Sequence, residues 1–178
     1  LDDTSFLTAA STLYDEGFGL SLMWSKQDSF ENFISEVLRH VSGKLAVSPI
    51  SGKFEITLVR KDYSLAGLQV FDENNIVALE SFERRGWSET VNEITVLYTD
   101  QATGKEGTVT VQDLANIQIQ GGIVGQKTNY VGIPTAELAT RVAHRDLNML
   151  SKALAKARLV VNREGHQLTT GDVFKLSW

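Results

Sequence analysis

The longest regular pattern of apolar positions in this chain covers residues 135–157. Apolar residues recur there at spacings of three and four, which places them on one face of a helix. This face contains Ala136, Ala139, Ala143, Leu147, Leu150, Leu154 and Ala157. Flanking apolar residues widen it to about half of the circumference at ~100° per residue. The pattern therefore predicts one long Ala/Leu-rich helix over residues 135–157 that packs on a β-sheet.

One acidic residue, Asp146, falls inside this apolar arc. A carboxylate in apolar surroundings is rarely left without a partner, because burying an unpaired charge is costly. We therefore predict a buried ion pair between Asp146 and an arginine on the sheet, such as Arg84 or Arg85. The alternative is a functional carboxylate at an interface.

Four basic residues line the other side of the predicted helix: Arg141, Arg145, Lys152 and Lys156. Helical geometry places them within about 60° of each other at ~100° per residue, beside the apolar face. Glu137 precedes Arg141 by one turn and offsets only one of the four charges. The four residues are a candidate interface with another subunit. The alternative is a face that meets only solvent.

The remaining pattern predicts two units, joined near the polar run at residues 72–75. Residues 1–75 indicate a small α-β-α-β-β domain, with strand-like alternation at residues 18–24 and a hairpin turn at residues 49–52. Residues 76–178 indicate an antiparallel meander followed by the long helix and two further strands. These strands are predicted at residues 76–84, 91–99, 107–113, 158–163 and 173–177. The predicted fold class is α+β with mixed and antiparallel sheets.

Composition narrows the possible functions. The chain has 178 residues and a formal net charge of −5, and the whole acidic excess lies in residues 1–75. This distribution argues against specific nucleic-acid binding, which needs clustered Lys and Arg. The chain has no cysteine, which excludes disulfides and cysteine-ligated metal sites. No apolar run approaches the roughly 18 residues that cross a bilayer. Because the chain begins at Leu1, we expect it to be a segment of a longer protein.

Motifs of common catalytic sites are missing from the sequence. The Gly-Lys pairs lack the upstream glycine and the following Ser or Thr of a phosphate-binding loop, and there is no Gly-x-Ser-x-Gly elbow. His40, His144 and His166 are far apart in sequence, and none belongs to a pair with metal-ligand spacing. We therefore predict that the chain is not an enzyme and binds neither a metal ion nor a cofactor.

Three stretches of the second half carry a family resemblance. They are Asn-Glu-Ile-Thr-Val-Leu-Tyr-Thr-Asp at residues 92–100, the alanine-rich helix at residues 139–157, and Leu-Thr-Thr-Gly-Asp-Val at residues 168–173. Together they resemble tail-tip and baseplate-hub proteins of tailed bacteriophages and prophages, including the lambda-type tail-tip attachment protein family. In the last stretch we expect positive φ at Gly171 and a side-chain cap from Asp172.

This resemblance implies a structural role in the phage tail. The hub of such families is a ring of three chains whose barrel-like domains continue the tail tube, so the expected partners are further copies of the chain, as a trimer in the full-length protein, and other tail proteins. The expected location is the virion tail, after assembly in the cytoplasm of the bacterial host. Two alternatives remain open: a tail-associated cell-wall hydrolase domain, and a carbohydrate- or receptor-binding module that uses Trp24, Trp87 or Trp178.

Overall fold

The computed structural model describes residues 1–25 and 27–177, and it confirms the α+β fold class. The helices are α1 (Asp3–Asp15), α2 (Phe30–Val41), α3 (Leu114–Gln120) and α4 (Ala136–Leu150). The strands are β1 (Gly43–Val47), β2 (Phe54–Leu58), β3 (Val70–Phe71), β4 (Ile76–Arg84), β5 (Glu93–Thr99), β6 (Glu106–Gln112), β7 (Gly125–Tyr130), β8 (Ala155–Val161) and β9 (Lys175–Leu176). Within the described residues every sheet has two or three strands, too few to close a barrel. The expected barrel-like second domain is therefore wrong for this part of the chain.

Contacts divide the chain into two units, at places other than the predicted boundary near residue 75. The first unit contains Leu1–Gly17, Ile34–Glu83 and Lys156–Trp178, and the second contains Phe18–Phe33 and Arg84–Ala155. C-terminal strands return to the first unit, because β8 pairs with β4 and β9 pairs with β3. The predicted boundary rests on local composition, and local composition does not indicate which distant segments pair with each other.

In the first unit, α1 packs on the hairpin of β1 and β2. The two strands pair antiparallel with Leu45 opposite Ile56, which confirms the predicted hairpin. The carboxylate of Asp2 caps α1 by accepting a hydrogen bond from the Ser5 amide at 2.9 Å. The Ser5 hydroxyl in turn accepts a hydrogen bond from the Ile56 amide at 3.2 Å. One short segment therefore both starts the helix and fixes it to the strand.

In the second unit, α4 covers one face of a three-stranded sheet with the order β6-β5-β7. Strand β5 pairs antiparallel with β6 and parallel with β7, so the sheet is mixed. Alternate residues of β5 point into the core, and the fully buried Ala139 and Ala143 allow the helix to lie close to them. The core contains Ile94, Val96, Tyr98, Val111, Tyr130, Ile133, Leu138, Ala139, Val142, Ala143 and Leu147. The prediction that this helix packs on a sheet is confirmed.

Helix α4 ends at Leu150, about two turns before the predicted end at residue 157. The Leu150 carbonyl accepts a hydrogen bond from the Val91 amide at 3.1 Å, and the Ser151 carbonyl accepts one from the side chain of Asn116 at 2.9 Å. Beyond this turn the chain becomes strand β8, although alanine favours helices. Pairing with β4 therefore overrides the local helical preference.

Two further predictions about the second unit are wrong, and two of its elements were not predicted. Residues 18–25 form neither helix nor strand; the Ser21 amide donates to the Gly132 carbonyl at 2.9 Å, and Phe18 packs on the core of the second unit. The predicted meander is broken, because β4 pairs with β8 and not with β5. Helix α3 and strand β7 were not expected. Their sequences are rich in Asn, Gln and Gly, so they lack the apolar periodicity on which the predictions rest.

Candidate functional site

Asp146 lies in a buried cluster with Tyr130 and Arg145, here called the Asp146 cluster. The Tyr130 hydroxyl donates to Asp146 Oδ2 at 2.6 Å, and Arg145 Nε donates to Asp146 Oδ1 at 3.0 Å. Arg145 Nη2 also donates to the Tyr130 hydroxyl at 3.2 Å. Asp146 is 8% exposed. The acid is therefore buried and ion-paired, but the predicted partners Arg84 and Arg85 are wrong.

The partner of Asp146 is its neighbour in sequence. Adjacent residues on a helix do not face each other. The two side chains meet because both reach Tyr130, the last residue of β7, and the Arg145 guanidinium carbon lies 5.8 Å from the centre of the Tyr130 ring. Each oxygen of the Asp146 carboxylate accepts a hydrogen bond from this cluster. These hydrogen bonds connect α4 to the sheet, and they support a structural role for Asp146.

The four basic residues predicted as an interface do not share one helix face. Arg141 and Arg145 are on α4, Lys152 is in the turn that follows, and Lys156 is in β8 of the other unit. The side chain of Arg145 is 22% exposed and belongs to the Asp146 cluster. The prediction that these four residues line one side of a single helix is therefore wrong, because it required the helix to reach residue 157. A role of these residues in subunit contacts stays a prediction.

Strands β4 and β8 form a largely exposed pair, here called the β4–β8 ribbon. The Asn162 amide donates to the Asn75 carbonyl at 2.9 Å at one end of the pair, and Arg158 lies opposite Glu80, with 3.9 Å between Nε and Oε2. These two contacts show that the strands run antiparallel. Eight of the nine residues of β4 are exposed, so hardly any of this strand is covered.

Apolar side chains of the ribbon are open to solvent. Val77 is 69% exposed and Phe82 is 60% exposed. A depression of about 310 Å³ beside them is lined only by apolar residues: Leu79, Phe82, Ala157, Leu159 and Leu176. The sequence marks β4 correctly as a strand, but its burial depends on a partner strand that local pattern does not reveal. This surface was therefore not among the predicted sites.

The tryptophans considered for sugar binding and the histidine of α2 were further candidates from the sequence. Trp24 packs edge-on against Phe33 with 5.2 Å between ring centres, and Trp87 is 54% exposed in a short 3-10 turn. Trp178 lies outside the described residues. His40 is fully buried, with Nδ1 2.7 Å from the Glu36 carbonyl oxygen. Among residues 1–25 and 27–177, no group of three His, Cys, Asp or Glu side chains could hold a metal ion, and no helix is long and apolar enough to span a membrane.

Comparison with protein families gives the identity of the chain. Residues 29–178 match a family model described as "putative phage tail protein". The chain belongs to this phage tail protein family. No match was found among curated proteins. As a phage tail protein it has a structural role in the virion tail, in association with other tail proteins.

The matched region of this phage tail protein includes residues 92–100, whose first and last residues, Asn92 and Asp100, hold the neighbouring backbone in place. The buried Asn92 side chain donates to the Gly122 carbonyl at 2.9 Å and accepts from the Val124 amide at 2.7 Å, which holds the start of β7 beside β5. Asp100 accepts hydrogen bonds from the amide and the hydroxyl of Thr103 at 2.8 and 3.0 Å. These bonds lower the pKa of the Asp100 carboxyl.

The second polar motif of the phage tail protein, at residues 168–173, has the expected geometry. Gly171 has a φ of 110°, and the Asp172 carboxylate accepts hydrogen bonds from the amide and hydroxyl of Thr169 at 2.6 and 3.0 Å. The predicted positive φ and side-chain cap are confirmed. Both polar motifs shape the backbone.

Proposed function

We propose that this phage tail protein is a structural component of the tail tip or baseplate hub, where it forms part of the ring that continues the tail tube. The resemblance of its three stretches to tail-tip and hub proteins supports this location. The observation that carries the assembly role is the β4–β8 ribbon, because monomeric proteins rarely leave long apolar strands uncovered.

Location in the virion can be tested by electron microscopy. Gold-labelled antibodies raised against the purified chain are expected to bind at the tail tip of the parent phage or induced prophage. Antibodies pre-adsorbed with the purified chain are the control. Labelling along the whole tube, or at the head, would contradict the proposed location.

We further propose that the full-length protein self-associates as a trimer and has no enzymatic activity. The Asp146 carboxylate, the buried acid of α4, already accepts hydrogen bonds on both oxygens, which supports a structural role for it. The mass of the full-length particle, measured by light scattering, is expected to equal three chains. Purified protein is expected to release no soluble fragments from peptidoglycan. Cleavage that disappears in Asp146→Asn would overturn the second part of the proposal.

A further inference from the structure

Each strand of the β4–β8 ribbon has one edge that no other strand covers. The described part of this sheet contains only β4 and β8. Apart from the Ile76 amide, which donates to the Asp72 carbonyl in the turn before β4 at 2.9 Å, no main-chain hydrogen bond joins the outer edge of either strand to another described residue. Strands of nine and seven residues without glycine or proline are long for free edges, which natural proteins normally shorten or cover. An isolated two-stranded ribbon is also only marginally stable in water. The ribbon is therefore suited to pairing with further strands.

The two free edges belong to strands of opposite charge. Strand β4 contains Glu80, Glu83 and Arg84 and has a net charge of −1, whereas β8 contains Lys156 and Arg158 and no acidic residue and has a net charge of +2. Glu80 and Arg158 already face each other within one copy, at 3.9 Å. Glu83 and Lys156 have no ion pair with any described residue. An edge of β4 is therefore electrostatically suited to an edge of β8 and repels another β4.

We propose that β4 of one copy pairs with β8 of the next copy, so that the partner of this surface is a second copy of the chain. This inference rests on the proposed function, for which it names the contact between ring subunits. A contact between two different edges is heterologous and generates a ring when the rotation closes. The strand order β4-β8-β4-β8 also keeps every neighbouring pair antiparallel. The exposed apolar residues of the ribbon, Val77 and Phe82 among them, gain cover from the neighbouring copy.

Cysteine cross-linking tests which edges meet. Because the chain has no cysteine, Glu83→Cys and Lys156→Cys each introduce a unique thiol. One variant carries a solubility tag, so that mixed and like pairs differ in mass. With a short bis-maleimide we expect the mixed pair of Glu83→Cys and Lys156→Cys to exceed both like pairs severalfold. Ser11→Cys, on the exposed side of α1, measures cross-linking by random collision.

Charge reversal tests the energetics of the same contact. Lys156→Glu or Glu83→Lys alone is expected to raise the concentration for half-assembly severalfold, because the change replaces an attraction between exposed charges with a repulsion. The double variant restores the complementarity of β4 and β8 and is expected to assemble like the wild type. Lys105→Glu, in the exposed turn between β5 and β6, makes the same charge change as Lys156→Glu and is expected to have no effect. Circular dichroism establishes that all variants fold.

The outcomes separate this inference from the proposed function. Wild-type rings with no preferred cross-link and no response to charge reversal would overturn the β4–β8 contact and leave the hub role standing. Like pairs of Glu83→Cys in excess would also overturn it, because they require β4 to meet β4. A wild-type chain that stays monomeric up to its solubility limit would overturn both the contact and the self-association of this segment.

Discussion

Replacing Asp146 with alanine removes the acceptor that Tyr130 and Arg145 share. The Tyr130 hydroxyl then loses a 2.6 Å hydrogen bond inside the core, and the Arg145 guanidinium loses its carboxylate. Removing one partner of a buried ion pair costs about 3–5 kcal/mol. Arg145 is 22% exposed and can turn toward water, so part of this cost is avoided. We therefore expect Asp146→Ala to lower the free energy of unfolding by about 2–3 kcal/mol.

Asp146→Asn separates the charge from the hydrogen bond. The amide oxygen still accepts a hydrogen bond from Tyr130, but the attraction to Arg145 is lost. We expect about half of the alanine effect, because hydrogen bonds to charged groups contribute about 1.5–3 kcal/mol and neutral ones about 0.5–1.5 kcal/mol. A double-mutant cycle of Asp146→Asn with Tyr130→Phe gives the coupling between the two side chains.

The assay must report on the second unit alone, because a chain of two units need not unfold in one step. Trp24 and Trp87 both belong to that unit, so tryptophan fluorescence in a Trp178→Phe background follows its unfolding in urea. For the second unit, which has 88 residues (16 in Phe18–Phe33 and 72 in Arg84–Ala155), 2–3 kcal/mol corresponds to a decrease in Tm of about 8–24 °C. Asn148→Ala, exposed on α4, is the control. An unchanged midpoint for Asp146→Ala would refute the role assigned to the cluster.

A glycine, a carboxylate and an exposed segment each provide a further test. Gly107→Ala is expected to destabilise the second unit by about 1–3 kcal/mol, because a Cβ there would lie 2.6 Å from Tyr98 Cζ; Gly122→Ala meets nothing within 4 Å and should be neutral in the same urea assay. The folded-state pKa of Asp100 is lowered, so its stabilising effect is present above the unfolded value of 3.8 and is lost as the pH falls through the folded value. The Tm difference between wild type and Asp100→Asn should therefore shrink in acid. Limited proteolysis should cut first between residues 61 and 76, because residues 61–67 are exposed and lie outside every described strand, although the segment belongs to the first unit; a first cut within residues 91–113 would contradict this.

The sequence predicted the elements whose own residues show a clear periodic pattern or turn chemistry. The β1–β2 hairpin, strand β4 and the packed face of α4 all follow from periodicity, because spacings of two and of three or four determine which side chains share a face. The Gly171–Asp172 turn follows from the chemistry of its two residues. Each of these features is indicated by residues within the element or turn itself, whatever the distance to its partner along the chain.

Predictions failed where a distant segment decides the structure. The burial of Asp146 followed from its position in the apolar arc, but its ion pair depends on Tyr130, which stands at the end of a strand without apolar periodicity. Asn92 and Asn116 are buried by bonds to loops about thirty residues away, and no local signal distinguishes them from exposed asparagines. Buried polar groups need partners, but the sequence alone does not name those partners.

The early end of α4 is a further case in which a distant segment decides the structure, and it bears on assembly. Ala155 and Ala157 belong to a strand, although alanine is a strong helix former and is depleted in strands. The pairing with β4 must outweigh that preference, yet a ribbon of two exposed strands gains little stability by itself. Conflicts between local preference and structure concentrate at functional sites. Strand β8, which forms against its local helical preference, is thus also a strand whose edge is free for another copy. Pairing with that copy would supply the stabilisation that the isolated ribbon lacks.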